Sequence, residues 1–198
     1  MNQYIDCEQG TEEWRLARLG IPTASRFKDM MAGGQGKSRR TYMLTLAGER
    51  ITGELAQSYS NAHMERGNTL EPDARELYEL ETGSEVAECG FIRASYDAGY
   101  SPDGLIGGNG LIEIKTRLPH LMLDTLLSQK MPVEHTKQVQ GGLLISEREW
   151  CDFIAYWPGL PLFVKRIERD EKLIKEIRQA ITIFNDEMHE IIETIGKM

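Results

Sequence analysis

The sequence predicts an α/β protein in which a mixed central β-sheet is flanked by α-helices. Three observations predict it: a hairpin near mid-chain, helix-type segments before it, and a strand pair followed by a long amphipathic helix after it. The order of these elements fits either an α/β or an α+β arrangement. Residues 1–198 contain no linker-like stretch and are 40% hydrophobic, so we expect a single domain with a substantial core.

The hairpin is predicted at residues 101–115, which read SPDGLIGGNGLIEIK. Two apolar β-type pairs, at 105–106 and 111–112, flank a Gly/Asn cluster that tolerates positive φ. Side chains alternate along a strand, so Glu113 and Lys115 should share one face while Ile112 and Ile114 take the other.

Asp103 before the turn, with Glu113 and Lys115 after it, predicts metal-dependent phosphodiester hydrolysis. Carboxylates are ligands that Mg²⁺ prefers, and Lys115 would orient or deprotonate the attacking water. Pro-Asp-Gly is also common in ordinary turns, and Glu-x-Lys is a common tripeptide, so either motif alone is weak evidence for a functional site. Their combination across one short hairpin is much more specific.

The length of the turn decides whether the two acids meet. An even loop centred on residues 108–109 would pair Gly104 with Glu113 and send Asp103 to the opposite face. An odd loop or a glycine bulge would instead bring Asp103 opposite Glu113. We therefore predict an odd-length or bulged turn.

The rest of the chain shows helix and strand patterns at regular intervals. The sequence predicts helices at 10–18, 26–31 and 42–57, a fourth that begins near Pro72 within residues 62–80, and further helices at 118–129, 133–145 and 170–195. It predicts strands at 85–93 with the run to Tyr100, at 150–157 and at 162–167. In the third helix, Leu44, Ala47, Ile51 and Leu55 are expected to face the core. In the fourth, Pro72 is expected in the first turn, which places Glu71 near a helix start.

Two helix termini near Arg18 and Ser25 suggest a phosphate-binding corner, because a helix N-terminus presents free N–H donors. An ordinary connection with a capping serine explains this segment equally well. Glu71 likewise has two possible interpretations: it is either a surface acid that compensates a helix dipole or a further carboxylate of the metal site. Gln138 and Gln140 are either solvated or within reach of a phosphate or the attacking water.

Residues 33–40, with Lys37, Arg39 and Arg40, predict a basic loop that contacts a DNA backbone. The run GGQGKS does not complete a nucleotide-binding phosphate loop, because position 31 is Met and no strand precedes it.

Composition limits the classes of partner, metal site and cellular location that the sequence allows. The formal net charge is -8, which argues against a wholly basic nucleic-acid surface. Residues 1–60 nevertheless hold eight basic and seven acidic residues, whereas residues 61–100 hold three and nine, so the field is asymmetric. The three dispersed cysteines support neither a disulfide framework nor a zinc site. Without a membrane segment or signal pattern, we expect a cytoplasmic protein with no membrane partner.

Several ordered blocks together resemble the phage lambda exonuclease family, the YqaJ-like viral recombinases and alkaline exonucleases of the PD-(D/E)xK nuclease superfamily. The resemblance covers most of the chain. The blocks are Trp14 with RLGIPTAS at 18–25, Gly67 with Glu71 and DAR at 73–75, SPDGL at 101–105, GLIEIK at 110–115, QVQ at 138–140, and IERDEK at 167–172.

The resemblance implies a restriction-endonuclease-like core and a site role for each matching residue. Asp103, Glu113 and the Ile114 carbonyl would ligate Mg²⁺ or Mn²⁺, Lys115 would serve the water, and Glu71 and Gln138 would complete the site, with Glu71 as a further metal ligand. Arg18 and Ser25 would hold the 5′ phosphate of the digested strand. Met64 falls where the family uses an apolar wedge to part the terminal base pairs.

The resemblance further implies a ring-shaped homotrimer, bacterial or phage-encoded, that takes duplex DNA ends with a 5′ phosphate. It would degrade one strand 5′ to 3′ to mononucleotides and leave 3′ single-stranded DNA for a single-strand annealing protein. Two alternatives stay open: an endonuclease or single-strand nuclease of the same superfamily, and a non-catalytic DNA-binding recombination scaffold.

Overall fold

The computed structural model of the protein describes residues 2–33, 37–56 and 62–198, with side chains from residue 65 onward in the last range. The described helices are α1 (Glu12–Ala17), α2 (Phe27–Met30), α3 (Lys37–Thr52), α4 (Ala62–Thr82), α5 (Pro119–Ser128), α6 (Thr136–Ser146) and α7 (Glu171–Gly196). The described strands are β1 (Gln3–Ile5), β2 (Val86–Ala87), β3 (Phe91–Ala94), β4 (Ala98–Tyr100), β5 (Gly104–Ile106), β6 (Gly110–Thr116), β7 (Trp150–Tyr156) and β8 (Phe163–Glu168).

A mixed sheet of five strands, in the order β2-β5-β6-β7-β8, confirms the predicted architecture. Strands β6 and β7 run parallel, and the other neighbouring pairs are antiparallel. A second, antiparallel sheet has the order β1-β3-β4. The single strand predicted at 85–93 is wrong in this respect, because the chain divides there between β2 in one sheet and β3 in the other.

Helices cover both faces of the five-stranded sheet. On one face, Ile112, Ile114 and Ile154 pack with Ala74 and Tyr78 of α4. The opposite face belongs to the larger core, which includes Leu111 of β6, Phe153 of β7 and apolar residues of α6 and α7. The alternation along β6 therefore separates the two layers, as the strand pattern predicts.

Helix α7 closes the larger core. Its N-cap, Asp170, accepts a hydrogen bond at 3.0 Å from the Leu173 backbone N–H. A stripe at helical spacing is buried: Ile174, Ile177, Ile181, Phe184 and Met188. The stripe is part of the larger core.

The buried face of α3 differs from the prediction. Of the predicted residues, Ala47 is buried as expected, but Leu44 and Ile51 are 43% and 47% exposed and Leu55 lies beyond the end of the helix. Met43 and Leu46 are buried instead. Periodicity alone could not choose between adjacent stripes, and the packing of α3 against α2 and α7 selects the one that contains Met43, Leu46 and Ala47.

The prediction that Pro72 lies in a first helical turn is also wrong. Helix α4 runs from Ala62 to Thr82 with Pro72 inside it. Proline in a helix interior costs about 3 kcal/mol because it removes an N–H and crowds the preceding turn. Complete burial of Ala74 and Tyr78 against the sheet offsets this cost.

Across residues 2–33, 37–56 and 62–198, no helix combines the length and apolar character needed to cross a bilayer.

Candidate active site

The β5–β6 hairpin has the odd-length turn that the sequence predicts. Gly104 pairs with Ile112 and Ile106 with Gly110, which leaves a loop of three residues, 107–109. Extending this register by one residue places Asp103 opposite Glu113. The condition for a shared site is therefore met.

Local chemistry and one distant arginine fix the turn. Gly107 has φ +49°, a left-handed conformation that favours glycine. The Arg148 guanidinium donates from Nη1 to the carbonyls of Ile106, Gly107 and Gly110, at 3.3, 2.9 and 2.7 Å. Sequence reasoning missed Arg148, because it lies about forty residues away along the chain.

Asp103 and Lys115 are held by the strand that carries Glu113. The Ile114 backbone N–H donates to Asp103 Oδ2 at 2.6 Å, and Lys115 Nζ lies 2.5 Å from Glu113 Oε1. Burial, together with the charge of Glu113, raises the pKa of Asp103 well above its usual value. Two acids and one lysine thus occupy one small volume.

Glu113 is a buried carboxylate contacted by three donors. Its side chain is only 1% exposed. Tyr100 donates its hydroxyl to Oε2 at 2.8 Å, and Gln138 Nε2 and Lys115 Nζ both contact Oε1. Gln138 therefore contacts the acid itself. Of the two alternatives that the sequence left open for Gln138, a solvated side chain or one within reach of the site, the structure supports the second.

Gln140 is structural rather than solvated. It is buried and bridges the Glu168 carbonyl and the Asp170 backbone N–H, at 2.8 and 2.9 Å. It thereby ties α6 to the start of α7.

Tyr100 is a site residue that sequence reasoning missed, since no motif marks a tyrosine at the end of β4. We expect Tyr100→Phe to keep the fold, because the ring remains, but to leave Glu113 less firmly oriented. Loss of one hydrogen bond to a charged group is worth about 1.5–3 kcal/mol, so the Mg²⁺ concentration for half-maximal activity should rise roughly tenfold or more. A Mg²⁺ titration of activity measures this, with Tyr4→Phe as the control, since Tyr4 lies 51% exposed. An unchanged titration would show that Tyr100 is only a core residue.

Glu71 approaches the site from α4 without joining the other acids. Helix α4 packs on the Ile112 and Ile114 face, whereas Glu113 and Lys115 lie on the other. Glu71 pairs with Arg75 at 3.0 Å, and burial raises the pKa of Glu71. Its charge also acts on Lys115 and Asp103. It lies within electrostatic range of the site, and its ligand role stays a prediction.

Within the described part of the chain, no three His, Cys, Asp or Glu side chains come together as a metal cluster. The donors present still suit a hard divalent cation: two carboxylates and the carbonyl of Ile114, the residue between Glu113 and Lys115. The raised pKa of Asp103 reflects in part the repulsion between the two acids, which a cation between them would relieve. The residues therefore fit Mg²⁺ or Mn²⁺.

Arg18 lies beside the start of the hairpin. Its Nη1 donates to Ser101 Oγ at 3.0 Å, and Trp14 Nε1 donates to the same oxygen at 2.8 Å. The guanidinium lies 4.0 Å from the centre of the Trp14 ring. No carboxylate of a described residue forms an ion pair with Arg18. A half-buried cation held by Ser101, which lies two residues before Asp103, is suited to an anionic ligand.

The helix-terminus argument for this corner is not supported. Ser25 is exposed in a single 3-10 turn, Ala24–Arg26, and α2 has only four residues. So short a helix carries little dipole. The segment still reaches the site, because Thr23 bridges to Gly99 of β4 and the Thr23 and Ser25 hydroxyl oxygens lie 3.3 Å apart. The role of Ser25 stays a prediction.

The basic residues at 37–40 lie in the first turn of α3 rather than in a loop. Arg39 is committed to the protein: it makes a two-pronged ion pair with Glu187 of α7, at 2.7 and 3.1 Å, and donates to the Met30 carbonyl. Lys37 and Arg40 are exposed and remain candidates for DNA contact. The Met64 side chain lies outside the described part, so its wedge role stays a prediction.

Comparison with known proteins bears directly on this site. The model of the YqaJ-like viral recombinase domain matches residues 13–149. LHK-Exo in complex with dAMP is 43% identical, with a TM-score of 0.87 over 94% of this chain and 97% of that chain. The alkaline exonuclease LHK-Exo from Laribacter hongkongensis, in a second structure, is 42% identical with the same TM-score and coverage. The restriction-endonuclease-like fold is thereby confirmed.

A more distant neighbour agrees on the fold alone. The phage related exonuclease from Haemophilus somnus 129PT is 14% identical, with a TM-score of 0.67 over 88% of this chain and 96% of that chain. The comparison with curated proteins gives no match.

Proposed function

Since the chain belongs to the family of YqaJ-like viral recombinases and alkaline exonucleases, which supports a nuclease role, we propose that it is a metal-dependent 5′ to 3′ exonuclease of linear duplex DNA. It digests one strand to mononucleotides. The other strand is left as 3′ single-stranded DNA for recombination by strand annealing.

One observation carries this proposal: Asp103, one of the two acids beside Lys115, lies two residues along the chain from Ser101, which holds the guanidinium of Arg18. A cation without a carboxylate partner among the described residues is suited to a terminal phosphate, while the acids are suited to the metal-dependent chemistry. A site built this way cuts at a fixed distance from a phosphorylated 5′ end. The structure of LHK-Exo with dAMP, a mononucleotide, supports the same product for this chain.

Asp103, Glu113 and the Ile114 carbonyl would hold Mg²⁺ or Mn²⁺, with Glu71 as a further candidate. The bound ion supplies Lewis-acid stabilisation of the phosphoryl oxygens and an activated water. Gln138 and Tyr100 keep the Glu113 carboxylate in one orientation. Arg18 positions the 5′ phosphate so that the next linkage lies over the acids.

Lys115 acts in its charged form. Glu113 and Asp103 raise its pKa above the usual value for lysine, against the opposing effect of burial. A protonated ammonium is a donor and not a base. Of the two roles that the sequence left open, the charged form supports orientation of the water rather than its deprotonation. A charged Lys115 would in addition stabilise the negative charge that develops on the phosphate.

We propose that the protein works in the cytoplasm as a homotrimer around its DNA, together with a single-strand annealing protein. The homotrimer rests on the family resemblance. Three large apolar side chains that are more than four-fifths exposed are candidates for the subunit contact: Leu80, Leu127 and Val133. Enclosure of the duplex would allow processive digestion despite the net charge of -8.

The deciding experiment incubates linear duplex DNA, with a 5′ phosphate or a 5′ hydroxyl, in Mg²⁺ and in EDTA. We expect mononucleotides to be released only in Mg²⁺ and faster from the phosphorylated end. Internal nicking of a circular duplex, or digestion limited to single strands, would instead establish the alternative nuclease of the same superfamily. Binding to duplex ends without any product would establish a recombination scaffold.

A further inference from the structure

A cavity of about 240 Å³ opens beside Lys115, where β6 ends and α5 begins. It shares no residue with the Arg18 and Ser101 corner. Its walls come from α4, β6, the start of α5 and the turn before α6. Arg66, Arg117, Leu118, Leu121, Glu134 and His135 are among the residues that line it.

The cavity combines positive charge with apolar surface. Arg66, Lys115 and Arg117 supply three cations, against one acid, Glu134. The Glu134 side chain is 43% exposed, and its carboxylate lies 3.4 Å from Arg117 Nη1, which is a long contact. Cations over an apolar wall are the chemistry that a sugar-phosphate unit needs.

Arg117 provides a second, independent indication of a ligand. Its side chain is only 9% exposed, and its buried Nε has no hydrogen-bond partner among the described residues. Its Nη1 makes only two long contacts, to Glu134 and to His135 Nε2 at 3.3 Å. With contacts this long, the Nη groups of Arg117 retain the capacity to donate to an oxygen acceptor that enters the cavity.

We propose that this cavity binds the phosphate that follows the scissile one, on the part of the strand that remains after each cut. The inference rests on the proposed 5′ to 3′ exonuclease activity. The Arg18 corner takes the 5′ phosphate of the terminal nucleotide, and Asp103 with Glu113 take the next linkage. The strand then continues past Lys115, into the cationic cavity that this lysine lines.

Binding measured in Ca²⁺, which slows hydrolysis, tests the subsite with chemically altered DNA. An uncharged methylphosphonate replaces the phosphate after the scissile one on a 5′-phosphorylated duplex. We expect wild-type affinity to fall roughly tenfold, as for loss of one charge-assisted hydrogen bond. In Arg117→Ala the same replacement should have no further effect, whereas Arg93→Ala, a surface arginine paired with Asp97, should respond as wild type does.

Glu134→Gln tests the same contact without removing the arginine. Because it removes the only acid of the cavity, binding to unmodified DNA should tighten, and the cost of the methylphosphonate should grow. If Arg117→Ala and wild type lose equal affinity when this phosphate is made uncharged, the proposed subsite is wrong. The proposal is also wrong if Arg117→Ala is coupled only to methylphosphonates on the complementary strand.

The two proposals fail separately. Digestion of wild type on phosphorylated and hydroxyl ends reports on the exonuclease, whereas the coupling between Arg117 and one phosphate reports on the subsite. If the enzyme digests as proposed but Arg117→Ala and the methylphosphonate show no coupling, the exonuclease proposal stands and the subsite proposal is wrong.

Discussion

Replacement of Lys115 by alanine is expected to lower kcat by roughly 10²- to 10³-fold, the usual effect of removing a preorganised donor from a transition-state site. Lys115 Nζ lies 2.5 Å from the buried Glu113 carboxylate, and the neighbouring acids favour its charged form. In the proposed function, its ammonium would therefore be fixed where negative charge develops on the phosphoryl oxygens. Single-turnover digestion of a 5′-phosphorylated duplex in Mg²⁺ measures the loss.

Affinity for the duplex end, measured in Ca²⁺, should fall much less than kcat does, because Arg18 and Ser101 are untouched and Arg66 and Arg117 of the cavity remain. Lys165→Ala is the matched control, since Lys165 is exposed on β8 and should digest normally. Lys115→Arg separates charge from placement: a guanidinium keeps the charge but not the position of the ammonium, so it should rescue little. Wild-type kcat in Lys115→Ala would show that the acids act without the lysine.

The centre of the site could be predicted from sequence because its determinants are local. The parity of the turn, the alternation of β6 and the spacing of Glu113 and Lys115 all lie within fifteen residues. Strand geometry alone then fixes which side chains share a face. The three-residue loop and the division of Ile112 and Glu113 between opposite faces are confirmed for this reason. The family was likewise predicted correctly, since its blocks are ordered along the chain.

The residues that support the site could not be predicted, because each reaches it through tertiary contacts. Tyr100 belongs to the second sheet, yet its hydroxyl orients Glu113. Arg148 fixes the hairpin turn from the segment after α6. The sequence pattern of such residues is indistinguishable from that of core or surface residues.

Helix ends were the weakest part of the prediction. Pro72 suggested a start for α4, but tertiary burial of Tyr78 carries the helix through it. The apparent helix at 26–31 shrinks to a 3-10 turn and four α-helical residues. Local propensity predicted the phosphate-binding corner from two helix termini, which is the wrong physical reason. The structure nevertheless places Arg18 beside Ser101.

Arg18→Ala should remove the preference for a 5′-phosphorylated end. The guanidinium is half-buried and held by Ser101, and it makes no ion pair within the described residues, so a phosphate gains a charge-assisted bond at little reorganisation cost. The ratio of digestion rates on phosphorylated and hydroxyl ends should fall by roughly 10- to 100-fold, towards unity. Parallel digestion of the two duplexes measures this ratio.

Arg15→Ala is the matched control, because Arg15 lies one turn earlier in α1 and is exposed. Ser101→Ala keeps the charge but removes the oxygen that accepts from both Arg18 and Trp14, so it should reduce the ratio less than Arg18→Ala does. Rates on the hydroxyl end should change little in either variant, since that end offers no terminal phosphate to hold. If Arg18→Ala kept the full preference, the 5′ phosphate would have to be recognised elsewhere, and the distance from end to cut would no longer be set by this corner.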